Sequence, residues 1–184
     1  MCDEFNRLLS RGLLPITALA VMEGGRDENF EVERAKDKQE CLKWRETLTD
    51  PPQNLTPNWD LDPEHFYLAY DGDSPKDHPG DNFTLIEADT ADVHPKLIYH
   101  SSRDKDPWDD EYRGRSLGTA FRWLRRRPVT PPLIKCSQNG IQIVGGNHRY
   151  HLAYYYGTNR MPFLVLKADL DAVVSLLPTA VITG

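Results

Sequence analysis

The sequence predicts an α+β fold, with a C-terminal core over residues 111–184 and an irregular acidic N-terminal region over residues 1–110 packed on it. Three observations carry this expectation. Helix-period and strand-period segments alternate at short spacing after residue 113. Most of the fourteen prolines lie between Pro51 and Pro132, so the middle of the chain is expected to run through long irregular connections. The charge is split as well: residues 1–110 hold 12 Lys and Arg against 25 Asp and Glu, a net of −13, whereas residues 111–184 hold 10 against 3, a net of +7. With 184 residues, 39% hydrophobic and 27% charged, the chain has the size and composition of a single soluble domain.

Residues 3–11 read as a short helix. The apolar run Leu13–Met22 has the length of a signal-peptide core, and Ala18-Leu-Ala20 loosely resembles a cleavage site. The segment before it sets Asp3 and Glu4 against Arg7 and Arg11 and so lacks a positive n-region; a buried strand or helix is the expectation. No stretch has the length of a membrane span. Asp37–Leu48 reads as a second helix with Cys41, Leu42, Trp44 and Leu48 on a partly apolar face, stopped by Asp50-Pro51-Pro52. Phe66–Tyr70 is expected to be a strand, Asp71–Gly80 a loop, and Phe83–Ala88 and Lys96–His100 further strands, with Ser101–Glu111 charged and exposed.

From Ser116 to Arg127 the positions of Leu117, Ala120, Phe121 and Leu124 follow a helical stripe, ended by Pro128, Pro131 and Pro132. Then come a strand (Leu133–Cys136), a turn (Gln138-Asn139-Gly140), a strand (Ile141–Val144), a helix from about Asn147 to Tyr156, a strand (Met161–Leu166) and a helix (Leu170–Leu177). Tyr150, Leu152, Ala153, Tyr154 and Tyr156 read as core and rim packing rather than as stacking platforms. Cys2, Cys41 and Cys136 form neither a CxxC pair nor an even framework, which points to a reducing, cytoplasmic compartment.

The chemistry concentrates at Gly145-Gly146-Asn147-His148-Arg149-Tyr150. A strand, a glycine turn and a helix start leave free backbone N–H groups and the positive end of a helix dipole at one spot, a ready site for phosphate. Asn147 suits the helix cap, Arg149 offers a planar fork for phosphate oxygens, and His148 can bind phosphate or move a proton near neutral pH. The bland alternative is an ordinary solvated first turn. Arg113, Arg115, Arg122, Arg125, Arg126 and Arg127 place six guanidinium groups in fifteen residues. Arg122, Arg125 and Arg126 share a face that could follow a nucleic-acid backbone, or could be a solvated helix end. His148 and His151 are spaced for a metal without an HExxH pattern, and Asp104, Asp106, Asp109, Asp110 and Glu111 could hold Mg²⁺ or form an exposed acidic loop; no metal-ligand set can be named.

Val144-Gly-Gly-Asn-His-Arg-Tyr-His-Leu-Ala153 followed by Met161-Pro-Phe-Leu-Val165 resembles the signature of the ParB/sulfiredoxin superfamily. The upstream helix, Pro131-Pro132 and the hairpin agree in order, so the resemblance spans roughly residues 113–178. It implies a ParB/sulfiredoxin-like fold and binding of nucleotide phosphates by Gly145, Gly146, Asn147, His148 and Arg149, with Arg115, Ser116 and Thr119 on the upstream helix as further contacts. Asn147 stands where sulfiredoxins keep their catalytic cysteine, so sulfinic-acid repair is not expected. The ParB-like side, with nucleases, ATPases and plasmid fertility-inhibition proteins such as the oncogenic suppression protein, fits better. It implies a phosphohydrolase acting on ATP or another nucleotide, on DNA, or on both. Asn147, His148 and Arg149 would be the catalytic set and Mg²⁺ a candidate ion; Arg113, Arg122, Arg125, Arg126 and Arg127 would hold DNA. A protein of the DNA-transfer machinery is the implied partner. The alternative is a nucleotide-dependent binding protein that inhibits such a partner without turnover.

Overall fold

The computed structural model describes residues 2–70, 78–103, 105–138 and 140–183, and the side chains of all of these except Cys2 and Asp81. Helices α1 (Cys2–Ser10), α2 (Pro15–Met22) and α3 (Glu28–Thr47) come first, then a 3-10 segment (Pro63–Tyr70), strand β1 (Phe83–Asp89) and the short α4 (Thr90–Val93). The order continues with α5 (Asp110–Leu124), β2 (Leu133–Ser137), β3 (Gly140–Gly145), α6 (Asn147–Tyr155), β4 (Arg160–Leu166), α7 (Leu170–Leu176) and β5 (Val181–Ile182). The fold is α+β, built on one mixed five-stranded sheet in the order β3-β2-β4-β1-β5. Only β2 and β4 run parallel; β1 pairs antiparallel with β4 and β5, and β2 with β3.

Strand β4 is central because its sequence is apolar almost throughout, which suits a strand covered on both faces. One face carries Met161, Phe163 and Val165 with Ile86, Ala88 and Ile134, and packs against Leu117, Ala120 and Trp123 of α5, Tyr150, Leu152 and Ala153 of α6, and Val173 of α7. The other face carries Phe83, Leu85, Leu133 and Leu164 and is covered by Phe66 and Ala69 of the 3-10 segment. The N-terminal region joins the main core through Trp44, whose ring lies 5.7 Å from that of Phe121, while Leu8, Leu13, Ala18 and Val32 form a small cluster of their own.

Several expectations are corrected. Phe66–Tyr70 is 3-10 helix, not strand: Pro63 opens it and the Asp62 carboxylate accepts the Glu64 amide at 3.0 Å, a helix-start arrangement. Lys96–His100 is not a strand; His94-Pro95-Lys96 forms a 3-10 turn, and the Leu97–Ile141 bridge attaches the chain beyond that turn to the edge of β3. Within Leu13–Met22 the helix is Pro15–Met22, one of the two alternatives, but of the whole run only Leu13, before the helix, and Ala18 are buried, and Ile16 is 76% exposed. The acidic helix begins at Glu28, capped by Asp27, well before Asp37. Ser101, Pro107 and Trp108 are buried inside the segment expected to be exposed. The buried stripe of α5 ends on Trp123 rather than Leu124, since Leu124, the last residue of the helix, is 46% exposed. Of the Asp71–Gly80 loop, residues 71–77 lie outside the described residues, as does Asn139 of the hairpin turn. Among the described residues no helix is long and apolar enough to cross a membrane.

Candidate functional site

The β3–α6 turn is built around two glycines with different tasks. A side chain on Gly145 would run into the Ala69 carbonyl, so glycine is what lets β3 lie against the 3-10 segment. Gly146 has φ of +82°, the left-handed region that glycine enters freely, and it is the helix cap. This corrects the expected cap at Asn147, which is instead the first helical residue. Its Oδ1 is buried with no hydrogen-bond partner among the described residues. The first intrahelical bond of α6 runs from the Tyr150 amide to the Gly146 carbonyl at 3.0 Å, so the amides of residues 147–149 precede the bonded part of the helix.

Arg149 is not a free fork on the surface. Its side chain is only 8% exposed, folds back over Gly146 and donates from Nη1 to the Thr130 carbonyl. It therefore ties α6 to the segment before β2 while still lining the cavity beside it. His148 is placed differently. Arg103 sets Nη1 2.7 Å from its Nδ1 and Nη2 3.2 Å from its Nε2, and Arg115 sets Nη1 3.2 Å from the same Nε2. Burial pushes this imidazole down to about 4, and the nearby Arg103 and Arg115 guanidiniums push the same way. The ring is thus neutral at physiological pH. The Arg103 guanidinium itself lies 4.4 Å over the Tyr112 ring, and burial lowers its own pKa.

These groups open on one cavity of about 800 Å³. Its floor is a face of α5 on which Gly114, Arg115, Gly118, Thr119 and Arg122 lie three and four residues apart. Side chains built on Gly114 or Gly118 would meet nothing within 4 Å, so the helix surface there is open. Among the described residues the lining carries five arginines, 34, 103, 115, 122 and 149, and one carboxylate, Asp60. That carboxylate is already engaged, Oδ2 lying 2.9 Å from His65 Nδ1 and Oδ1 accepting the Asp62 amide at 3.2 Å. Two of the five guanidiniums also face carboxylates outside the lining, Arg34 with Glu31 at 3.3 Å and Arg122 with Asp37 at 4.0 Å; the net excess of positive charge suits a negatively charged ligand.

The site residues expected from the sequence divide under this geometry. Gly145, Gly146, Asn147, His148, Arg149, Arg115 and Thr119 come together at the cavity; Ser116 does not, since its hydroxyl is buried in the core without a partner among the described residues. The arginine set is dispersed. Arg122 lines the cavity and donates to the Pro128 carbonyl at 2.8 Å, and Arg113 reaches the Leu48 carbonyl at 3.3 Å. Arg127 is paired with Asp37 and approaches Glu40 at 3.9 Å; Arg125 lies 3.9 Å from Glu40 and its guanidinium rests over the Phe121 ring. Arg126, at a left-handed φ of +55°, is exposed beyond the helix end. Acidic side chains of α3 thus occupy much of the stripe that could follow a nucleic-acid backbone.

Arg103 and Arg34 had no sequence signal: one lies in a charged irregular segment, the other on a helix far from α6 in the chain. His148 and His151 do not converge on a metal. The His151 Nε2–H donates to the Ser101 carbonyl at 2.8 Å, and among the described residues no three His, Cys, Asp or Glu side chains group to hold one. Of the acidic loop, Asp104 lies outside the described residues, Asp106 accepts the Trp108 amide at 2.8 Å and Glu111 pairs with Lys105. Among the described residues the lining offers a Mg²⁺ ion one carboxylate, Asp60, which is already hydrogen-bonded to His65 and to the Asp62 amide.

The environment of His148 leads to a titration experiment. Its ring protons, followed by NMR, are expected to shift with a midpoint near 4, against the ordinary value of 6.5. A folded-state pKa below the unfolded one means the unfolded chain takes the proton first. The stability from this ring is complete above pH 6.5 and is lost as pH falls from there to about 4. In His148→Gln the melting temperature should fall less between pH 7 and pH 5 than in the wild type.

Comparison of the chain with protein-family models, with curated proteins and with solved structures finds no match.

Proposed function

We propose that the cavity at the β3–α6 turn binds the phosphates of a nucleotide or nucleic acid, and that the chain is a phosphohydrolase of the ParB/sulfiredoxin type, acting on ATP, DNA or both. The observation that carries the reading is the charge of the lining: five guanidiniums and the start of α6 around one cavity, against a single carboxylate that is already hydrogen-bonded. The order β3, glycine turn, α6, β4 supports the family resemblance, as does the parallel pairing of β2 with β4. In this reading Arg103, Arg115 and the amides at the start of α6 hold phosphate and stabilise charge that develops on it. Arg149 positions that helix start. His148, neutral, accepts a proton from the attacking water once Arg103 and Arg115 have turned from its ring to the phosphate.

A second reading has its own support. A ring held near pKa 4 and faced by two guanidiniums is a weak base, which favours a protein that binds phosphate without turnover and acts by blocking a partner in DNA transfer or segregation. Phosphate release from ATP and cleavage of DNA, measured in purified protein with Mg²⁺, with Mn²⁺ and with EDTA, separate the two. Hydrolysis that His148→Ala abolishes, with nucleotide binding and circular dichroism unchanged, supports the enzyme. Binding without hydrolysis under every condition leaves the binding protein. Failure to bind either ligand removes both.

A further inference from the structure

We infer that the cavity recognises the phosphate chain of its ligand and is blind to the base. This rests on the reading of the cavity as a phosphate site and narrows the ligand class to polyanions carrying several phosphates in a row, whatever is attached to them.

The argument is one of donors and acceptors. To tell adenine from guanine or cytosine a protein must present both to the base edge, because the bases differ in which edge positions donate and which accept. The lining is one-sided. Arginines 34, 103, 115, 122 and 149 can only donate. The Asp60 acceptors are taken by His65 and by the Asp62 amide, and the Thr130 hydroxyl is directed to the His65 carbonyl at 3.4 Å. Asn147 Oδ1 is an acceptor, but it sits at the start of α6 among the groups that would face phosphate. A base edge with donors to place finds nothing there to receive them.

Stacking gives no alternative handle. Apart from the His148 imidazole, held between Arg103 and Arg115, no aromatic ring is among the described residues of the lining; the apolar part is Leu68, Pro128, Val129, Ile143 and Val144. Tyr112, the nearest phenol to His148, is covered by Arg103. The guanidiniums run from Arg103 and Arg115 at the helix start to Arg122 and Arg34 at the far end, so positive charge continues through the space a nucleoside would fill. A chain of phosphates matches that distribution better than one phosphate group joined to a neutral sugar and base.

The test is isothermal titration of the full chain at low salt with ATP, GTP, CTP, inorganic tripolyphosphate and inorganic phosphate. The expected result is that the three nucleotides and tripolyphosphate bind within about threefold of one another, that orthophosphate binds at least about tenfold more weakly, and that Arg103→Ala loosens all four tighter ligands by about tenfold. Thermal melts would establish that Arg103→Ala is folded, and Arg115→Ala serves as a second variant, since Arg115 is exposed and its loss leaves the core intact. ATP binding about tenfold or more tighter than GTP, CTP or tripolyphosphate would overturn the inference and leave the phosphate site standing. No binding by any of the five compounds would overturn the phosphate site itself.

Discussion

Gly145→Ala is expected to destabilise the folded protein by about 3 kcal/mol, at the upper end of what overpacking costs. The new methyl would overlap the carbonyl oxygen of Ala69 and lie 2.9 Å from its carbon. Both are backbone atoms of the 3-10 segment that covers the sheet, and Ala69 is fully buried, so no side chain can rotate away to make room. Relief requires the segment to lift from the sheet and uncover Phe66, Leu133 and Leu164. Gly118→Ala is the matched control. There the methyl meets nothing within 4 Å, and alanine should stabilise the helix by up to about 1 kcal/mol. Denaturant midpoints for the two variants should therefore move in opposite directions. An unchanged midpoint for Gly145→Ala would mean that β3 and the 3-10 segment are not packed as described.

The second large effect lies between α3 and α5. Asp37 is mostly buried, pairs with Arg127 and lies 4.0 Å from Arg122. Asp37→Arg would place a third guanidinium against these two, and a loss of about 2 kcal/mol is expected, less than for a fully buried ion pair because the Arg127 side chain is 39% exposed. Asp37→Asn removes the attraction without adding repulsion and should lose about a third as much. The same variant frees Arg122 and Arg127, so it should elute from a polyanion column at higher salt than the wild type. Equal melting temperatures for Asp37→Arg and the wild type would sink the idea that this acidic helix is held to the core by charge.

The part of the fold legible in the sequence is the part where pattern and punctuation agree. From Leu133 to Leu176 every strand and helix lies within two residues of its expectation, because apolar runs of strand length are bounded by Gly140, Gly145-Gly146 and Gly157. Phe66–Tyr70 is ambiguous for the opposite reason: five apolar and aromatic residues suit a short strand or a buried helical turn equally, and the deciding signal, Asp62-Pro63, lies upstream. β5, two residues long, has too little sequence to carry a period. In the site, the residues adjacent in the chain are readable and those brought in by folding are not. Gly146, Asn147 and His148 announce themselves as a helix start, whereas Arg103 and Arg34 reach the cavity only through tertiary packing. The charge split between the halves is visible, but not that Asp37 and Glu40 lie on Arg125 and Arg127.

The crowding of guanidiniums around Gly118 and Gly146 has a consequence for the molecule's lifetime. Like charges held at short range oppose the compact state, so the cavity by itself is a standing weakness of the fold. A bound polyanion removes it by mass action: at a concentration a hundredfold above its dissociation constant, a ligand adds about 2.7 kcal/mol of stability. On the phosphate reading, resistance to proteases would rise and fall with the supply of phosphate-rich solutes. Protein stripped of them by dialysis would be the most perishable form of the chain.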